Sequence, residues 1–186
     1  MGSTGGGSTL AGKLVRLRAP ERSDLPTFVR WFNDYEVTEF LLRGPPMSME
    51  GEERWYDGLL TREGKIFSID TLDGKLIGNV GIQHIDLSDR KADIGIVIGE
   101  KDFWSKGYGT DALTVLLGYL FDELNMERVS LFADSRNKRA LACYKKVGFV
   151  EEGVMRHDRW KDGVYVDDVM MSVLQSEWRK KHPLRK

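Results

Sequence analysis

Cysteine occurs once in the 186 residues, at position 143, so no internal disulfide can form and a reducing compartment, the cytoplasm, is expected. Histidine occurs only three times, at His84, His157 and His182. With one cysteine these give no metal-ligand spacing, and no metal is expected. No apolar run approaches the roughly 20 residues that span a bilayer, and no basic stretch followed by an apolar one marks a signal peptide, so no membrane partner is expected. Charge of one sign is also missing. Lys and Arg number 28 against 29 Asp and Glu, a formal net charge of −1, which removes the electrostatic basis for nucleic-acid binding.

What is present describes one globular domain. Hydrophobic residues make up 41% and charged residues 31%, enough to build a core at this length but not two. Residues 1–12 are rich in Gly, Ser and Thr and bury little, so they read as a flexible leader or an expression scar. Residues 13–181 read as the domain and 182–186 as a tail.

Along the chain, 13–18 alternates apolar and charged residues and predicts a half-buried strand. Ser23-Asp24 is expected to cap a helix carrying Leu25, Phe28, Val29 and Phe32 on one face. A short helical piece follows over 37–42, and a helix capped by Ser48 is expected to reach residue 60. Two strands over 66–69 and 76–82 flank Asp73-Gly74, a hairpin signal, and a third lies over 92–98. A helix is expected from the glycine-rich stretch at 107–112 to about residue 126, with Leu113, Leu116, Leu117, Leu120 and Phe121 on its apolar face. A strand over 128–133 and a helix capped by Asn137 and closed by Gly148 come next. Two final strands surround Asp162-Gly163, before a short basic helix. The order predicts a single α/β (α+β) domain, with a mixed central sheet of about seven strands flanked by about four helices.

Lys106-Gly107-Tyr108-Gly109-Thr110 lies between the strand and the long helix, where turned backbone N–H groups and a helix N-terminus favour an anion. The letters also fit G-x-G-x-x-A, one form of the dinucleotide fingerprint. That fingerprint needs its first glycine directly after the strand, whereas here residues 99–106 intervene, and Glu127 precedes the next strand instead of following it.

The segment Trp104-Ser105-Lys106-Gly107-Tyr108-Gly109 resembles the acetyl-coenzyme A motif [RQ]-x-x-G-x-[GA] of the GNAT family of N-acetyltransferases, with Trp104 where the motif prefers Arg or Gln. Downstream, Asn137, Ala140, Tyr144, Gly148 and Phe149 stand as in its second motif, N-x-x-A-x-x-x-Y-x-x-x-G-F. The chain is similar to the branch of ribosomal-protein N-terminal and spermidine acetyltransferases. The resemblance implies acetyl-coenzyme A as co-substrate and direct attack by a primary amine (a small molecule or a protein N-terminus) in a ternary complex. It places the coenzyme's pantetheine arm against the backbone of Ile96, Val97 and Ile98. It places the pyrophosphate on Ser105, Lys106, Gly107, Tyr108, Gly109 and Thr110, and adds coenzyme contacts from Trp104, Asn137, Ala140 and Tyr144. A homodimer is common in the family.

Such a reaction needs a proton donor for the departing thiolate and a route for the proton of the amine. Tyr144 falls on the motif tyrosine, the general acid, although it also shares an apolar face with Ala140 and Val147. Asp93, fourteen residues before Gly107, matches the family's glutamate base. His84 beside Asp86, or His157 with Asp158, are other candidates, and an α-amine of reference pKa about 7.7–8 needs no fixed base. Cys143, mid-helix, reads as a small buried residue rather than a nucleophile. Trp31, Glu36, His84 and Tyr165 are the acceptor-binding candidates. A coenzyme-binding domain without catalysis and, less readily, a nicotinamide-dependent oxidoreductase remain the alternatives.

Overall fold

The alternating opening segment forms strand β1 (Val15–Arg18) and turns Val15 and Leu17 into the core of the computed structural model, whose described residues are 10–41, 44–59 and 65–183. Strands β2 (Lys65–Thr71) and β3 (Leu76–Asp86) form the hairpin signalled by Asp73-Gly74, with Gly74 at φ 92°, a left-handed conformation that glycine adopts without strain. They are followed by β4 (Lys91–Ile98), β5 (Arg128–Asp134), β6 (Val150–Lys161) and β7 (Val164–Leu174). The seven strands form one sheet in the order β1-β2-β3-β4-β5-β7-β6. Every neighbouring pair is antiparallel except β4 and β5.

Among the described residues, helices form at each of the places expected, four longer and two short. They are α1 (Leu25–Phe32), α2 (Tyr35–Thr38), α3 (Met49–Asp57), α4 (Tyr108–Gly118), α5 (Lys138–Val147) and α6 (Gln175–Lys181). Helix α4 continues as a π-helical turn over Tyr119–Glu123, so the apolar stripe predicted to residue 126 is bent. Its Leu113, Leu116, Leu117, Leu120 and Phe121 pack on Val80, Ile82, Ile94, Val129 and Leu131 of the sheet. Burial of each such side chain contributes about 1.5–3 kcal/mol. A smaller cluster joins Leu25, Phe28, Trp31 and Val37 with Met49 and Trp55, fixing α1, α2 and α3 together.

Two expectations change. Asp24 does not cap α1 with its side chain. Its carboxylate is drawn inward to the Arg18 guanidinium (2.7 and 2.9 Å), the Ser68 hydroxyl (2.8 Å) and the Glu21 N–H (2.9 Å). Burial alone would raise this carboxyl, but those bonds outweigh it and hold it below the usual range. The predicted leader is also shorter. Leu10 packs against the core, its carbonyl accepts from Leu17 N–H (2.8 Å), and the carboxylate of Asp111 accepts from the N–H groups of Lys13, Leu14 and Val15 (3.2, 2.8 and 3.1 Å). Residues 1–9 of that leader, Leu42, Leu60 and the last three tail residues lie outside the described residues.

Candidate active site

Strands β4 and β5 pair at only three positions: Lys91 with Arg128, Ala92 with Val129, and Asp93 with Ser130. Beyond Ser130 both strands continue but part company. From Ile94 to Ile98, β4 still bonds to β3 on one side. Its other side faces a gap, a row of backbone donors and acceptors that need a partner. The gap opens into a cavity of about 970 Å³.

One share of the cavity wall comes from the start of α4 and from α5. Gly107 (φ 92°) and Ser105 (φ 58°) are both left-handed, which turns the chain sharply into α4. The first-turn N–H groups of Tyr108, Gly109 and Thr110 have no acceptor inside the helix, and no side chain caps it at Gly107. Trp104 is fixed by its indole N–H, which donates to the Ile98 carbonyl (2.6 Å), and by the Arg139 guanidinium over its ring at 3.7 Å. Asn137 caps α5 through the Ala140 N–H (3.0 Å), and Thr110 meets Cys143 at 3.3 Å. Arg139 and Lys146 are the cations of this wall. The other basic residues of this region are engaged elsewhere: Arg136 forks onto Asp134, Lys138 bonds the Ser135 carbonyl, and Lys145 bridges Glu151.

Tyr144 lies on the same wall, 8% exposed, edge-on to Phe149 at 6.0 Å. Its hydroxyl makes no hydrogen bond among the described residues. Burial pushes the phenol well above its ordinary pKa, and neighbouring Cys143 adds to the shift, so it stays protonated throughout the neutral range. Burial likewise raises the Cys143 thiol, which keeps it un-ionised and a poor nucleophile.

The other share of the wall is Phe32, Val37, Phe40 and Leu41 beside α2, with Phe132 and Asp134 of β5 and Met155, Asp158, Arg159 and Asp168 of the β6–β7 hairpin. Asp168 and Asp134 are both answered by Arg159, at 2.5 and 3.6 Å. Asp158 has no hydrogen-bond or ion-pair partner among the described residues. The register of β6 shifts between Met155 and Arg159, and His157 sits there at φ 54°. This bulge brings Asp158 to the cavity.

The structure therefore gathers Ile96, Val97, Ile98, Trp104, Ser105, Gly107, Gly109, Thr110, Asn137, Ala140 and Tyr144 around one cavity. Lys106 and Tyr108 belong to the same loop but lie outside the cavity lining, and Tyr108 packs edge-on against Phe103 at 4.9 Å. Asp93 also lies outside the lining, at the closed end of the gap, with its carboxylate accepting from the Ser130 hydroxyl (2.6 Å). The four acceptor candidates do not reach the cavity. Trp31 is 1% exposed in the small core and donates to Glu100 (2.9 Å). Glu36 bridges Lys101 at 2.7 Å, and His84 is exposed across from Asp93 on β3. Tyr165 is exposed between His157 and Trp160. The hairpin residues Met155 and Arg159 are absent from the sequence reading, which names Asp158 only beside His157 as a candidate for the proton route and not as acceptor wall. The only signal for them is that strict alternation fails across β6.

A parted parallel strand pair, an uncapped helix N-terminus beside it and a protonated buried tyrosine on the wall define a coenzyme-dependent acyltransferase fold. The comparisons agree. The Vibrio cholerae spermidine N-acetyltransferase, solved in complex with CoA and spermine, superposes with a TM-score of 0.82 at 28% identity, covering 88% of this chain and 97% of that one. Spermidine N(1)-acetyltransferase of Escherichia coli (strain K12) is 27% identical over 168 residues, 90% of each chain. YdaF of Bacillus subtilis (strain 168), provisionally named as a ribosomal N-acetyltransferase, is 38% identical over 106 residues, and the match spans 57% of each chain. The family described as "Acetyltransferase (GNAT) domain" matches residues 15–150, and the chain belongs to it. It is an acetyltransferase, with acetyl-coenzyme A as co-substrate and an amine as acceptor. Among the described residues there is no group of three metal-ligating side chains, and no helix is long and apolar enough to cross a membrane.

Proposed function

We propose that the chain acetylates a cationic primary amine, a polyamine or a protein N-terminus, by direct attack in a ternary complex with Tyr144 as general acid. The hydroxyl of buried Tyr144, without a hydrogen bond among the described residues and protonated on the cavity wall, is the observation that carries this reading. The unpaired edge of Ile96, Val97 and Ile98 would bond the amide-bearing arm of the co-substrate, and the first turn of α4 with Arg139 and Lys146 would hold its phosphates. The co-substrate supplies the acetyl thioester. The amine attacks its carbonyl carbon, the carbon–sulfur bond breaks, and Tyr144 gives its proton to the leaving thiolate.

Charge supports a cationic acceptor. The coenzyme share of the wall carries Arg139 and Lys146. The other share carries Asp134, Asp158 and Asp168 against Arg159, which leaves Asp158 unanswered. The apolar side chains of Phe32, Val37, Phe40 and Leu41 suit the methylene body of such an amine. Asp93 is kept in the proposal as the proton acceptor, acting through Ser130 or water because it stands back from the cavity.

The proposal extends to a cytoplasmic location, which the lone unbridged Cys143 suits. It also extends to a homodimer formed through β6. That strand is the outer edge of the sheet, exposed from Val150 to Asp158, and shows Val150, Val154 and Met155 to solvent. Antiparallel pairing of β6 with its copy about a two-fold axis would answer both open edges at once and set Glu152 near the partner copy's Arg156.

The test is thiol release from acetyl-coenzyme A with spermidine, Ala- and Ser-initiated peptides and aminoglycosides, for the wild type and Tyr144→Phe. Turnover on a cationic amine that falls about tenfold or more in the variant, with coenzyme affinity retained, is expected. A variant as fast as the wild type removes Tyr144 from the chemistry. Coenzyme binding without turnover on any amine leaves a binding domain.

A further inference from the structure

We infer that Lys161 is a positioning residue for the acceptor: from the hairpin it holds α2 and the turn after it in place as the cavity wall. The inference rests on the acetyl-transfer reading above.

Lys161 closes β6 and is 5% exposed. Its ammonium donates to the Leu41 carbonyl at 2.7 Å and the Thr38 carbonyl at 3.0 Å. Thr38 is the last residue of a helix of a single turn, and Leu41 follows it. Such a helix is too short to hold itself, and its last carbonyls find no donor within it. A cation there answers the Leu41 carbonyl, adds a second bond to the Thr38 carbonyl, which also accepts from the Leu41 N–H (3.0 Å), and meets the negative end of the helix dipole. A buried charge costs several kcal/mol unless it is well bonded, so packing alone gives no reason for a lysine at this place. Burial does lower the Lys161 pKa, Arg159 and Arg136 lower it further, and Asp162 and Asp134 oppose them.

What the ammonium holds is functional wall. Val37 lies within α2, Phe40 and Leu41 directly after it, and all three line the cavity. The other end of α2 is tied from a different quarter. Lys101, in the segment leading to the coenzyme loop, bridges Asp34 (2.9 Å) and Glu36 (2.7 Å), and Asp34 caps the helix through the Glu36 N–H (2.9 Å). The Tyr35 hydroxyl adds a bond to Asp162 (3.1 Å) in the hairpin turn. Helix α2 is thus strung between the coenzyme loop and the hairpin. The Lys101 pairs are exposed, where such bridges contribute little, whereas the Lys161 bonds are part-buried and charge-assisted. Lys161 therefore dominates, and it touches the acceptor share of the wall without touching the coenzyme share.

The full chain is compared as wild type, Lys161→Met and Lys161→Arg, by steady-state kinetics and by amide hydrogen exchange over residues 35–41. The methionine variant should raise the acceptor KM about tenfold or more while the acetyl-coenzyme A KM changes less than about twofold. Exchange over 35–41 should quicken, and the arginine variant, which keeps charge and donors, should restore most of both. If the methionine variant does not fold, Lys161→Gln is read in the same way. Unchanged acceptor KM and exchange, or an equal rise in both KM values, overturns the inference. If the wild type turns over no amine, the acetyl-transfer reading falls by itself. The exchange measurement still decides Lys161, and unchanged exchange overturns its role.

Discussion

The guanidinium of Arg139 lies 3.7 Å from the centre of the Trp104 ring, so the coenzyme loop and α5 meet through a cation on an aromatic face. Trp104 stands where the family motif favours Arg or Gln. Here the cation of that neighbourhood comes from the second motif instead. Burial lowers the Arg139 pKa, as expected of a guanidinium pressed against a ring, while Glu39 and Glu36 oppose the shift.

Arg139→Ala should weaken coenzyme binding about tenfold or more, the worth of a charge-assisted contact, and flatten the dependence of binding on salt. Trp104→Phe keeps a ring under the cation and loses only the indole bond to Ile98, so it should cost less than about threefold. Titration calorimetry at two ionic strengths checks both. An unchanged Kd for Arg139→Ala would show that this cation serves packing alone.

Glu52 supplies a stability prediction. It is 2% exposed on α3 and has no side-chain partner among the described residues, and burial raises its pKa. Below the ordinary carboxyl pKa both folded and unfolded chains are protonated at this site, and nothing is lost. As pH rises from there through the raised folded value, the folded chain binds the extra proton and loses stability. Glu52→Gln should therefore raise the melting temperature at pH 7, with the gain shrinking toward pH 4. A variant less stable than the wild type at pH 7 would mean that the carboxylate has a favourable partner after all.

Self-association is tested at Val154. Light scattering should give the wild type a mass of twice the 21.2 kDa chain, and Val154→Arg should return it to the single-chain mass without changing its melting profile below the transition. A wild type that scatters as one chain at tens of micromolar would rule out the β6 pairing.

Much of this fold was legible because its signals are local. Asp73-Gly74 and Asp162-Gly163 turn their hairpins, Asn137 caps α5, and the leucine stripe of α4 faces the sheet. The part of the cavity proposed for the coenzyme was legible for the same reason, since its loop and its helix each carry a contiguous motif. The part proposed for the acceptor is assembled from α1, α2, β5 and the hairpin, and no spacing within one segment encodes it. Trp31 shows the limit. An aromatic near acidic residues reads equally well as an open binding wall or a buried packing group, and close approach of Gly99 settles the matter: a Cβ at Gly99 would stand 2.0 Å from the Trp31 ring. Asp158 was named only as a possible proton acceptor with His157, because one shifted register in β6 reverses the side of the strand to which a residue belongs and its place on the cavity wall could not be read.

The three-rung pairing of β4 with β5 also bears on how the chain moves. Among the described residues, the N–H groups from Ile94 to Ile98 that face the gap have no strand partner on β5, although the same strand is anchored to β3 along its other side and the Ile98 carbonyl accepts from Trp104. Held from one side only, this stretch is a half-sewn seam in the middle of the sheet, and exchange of its amides is expected to report local opening there rather than unfolding of the whole protein.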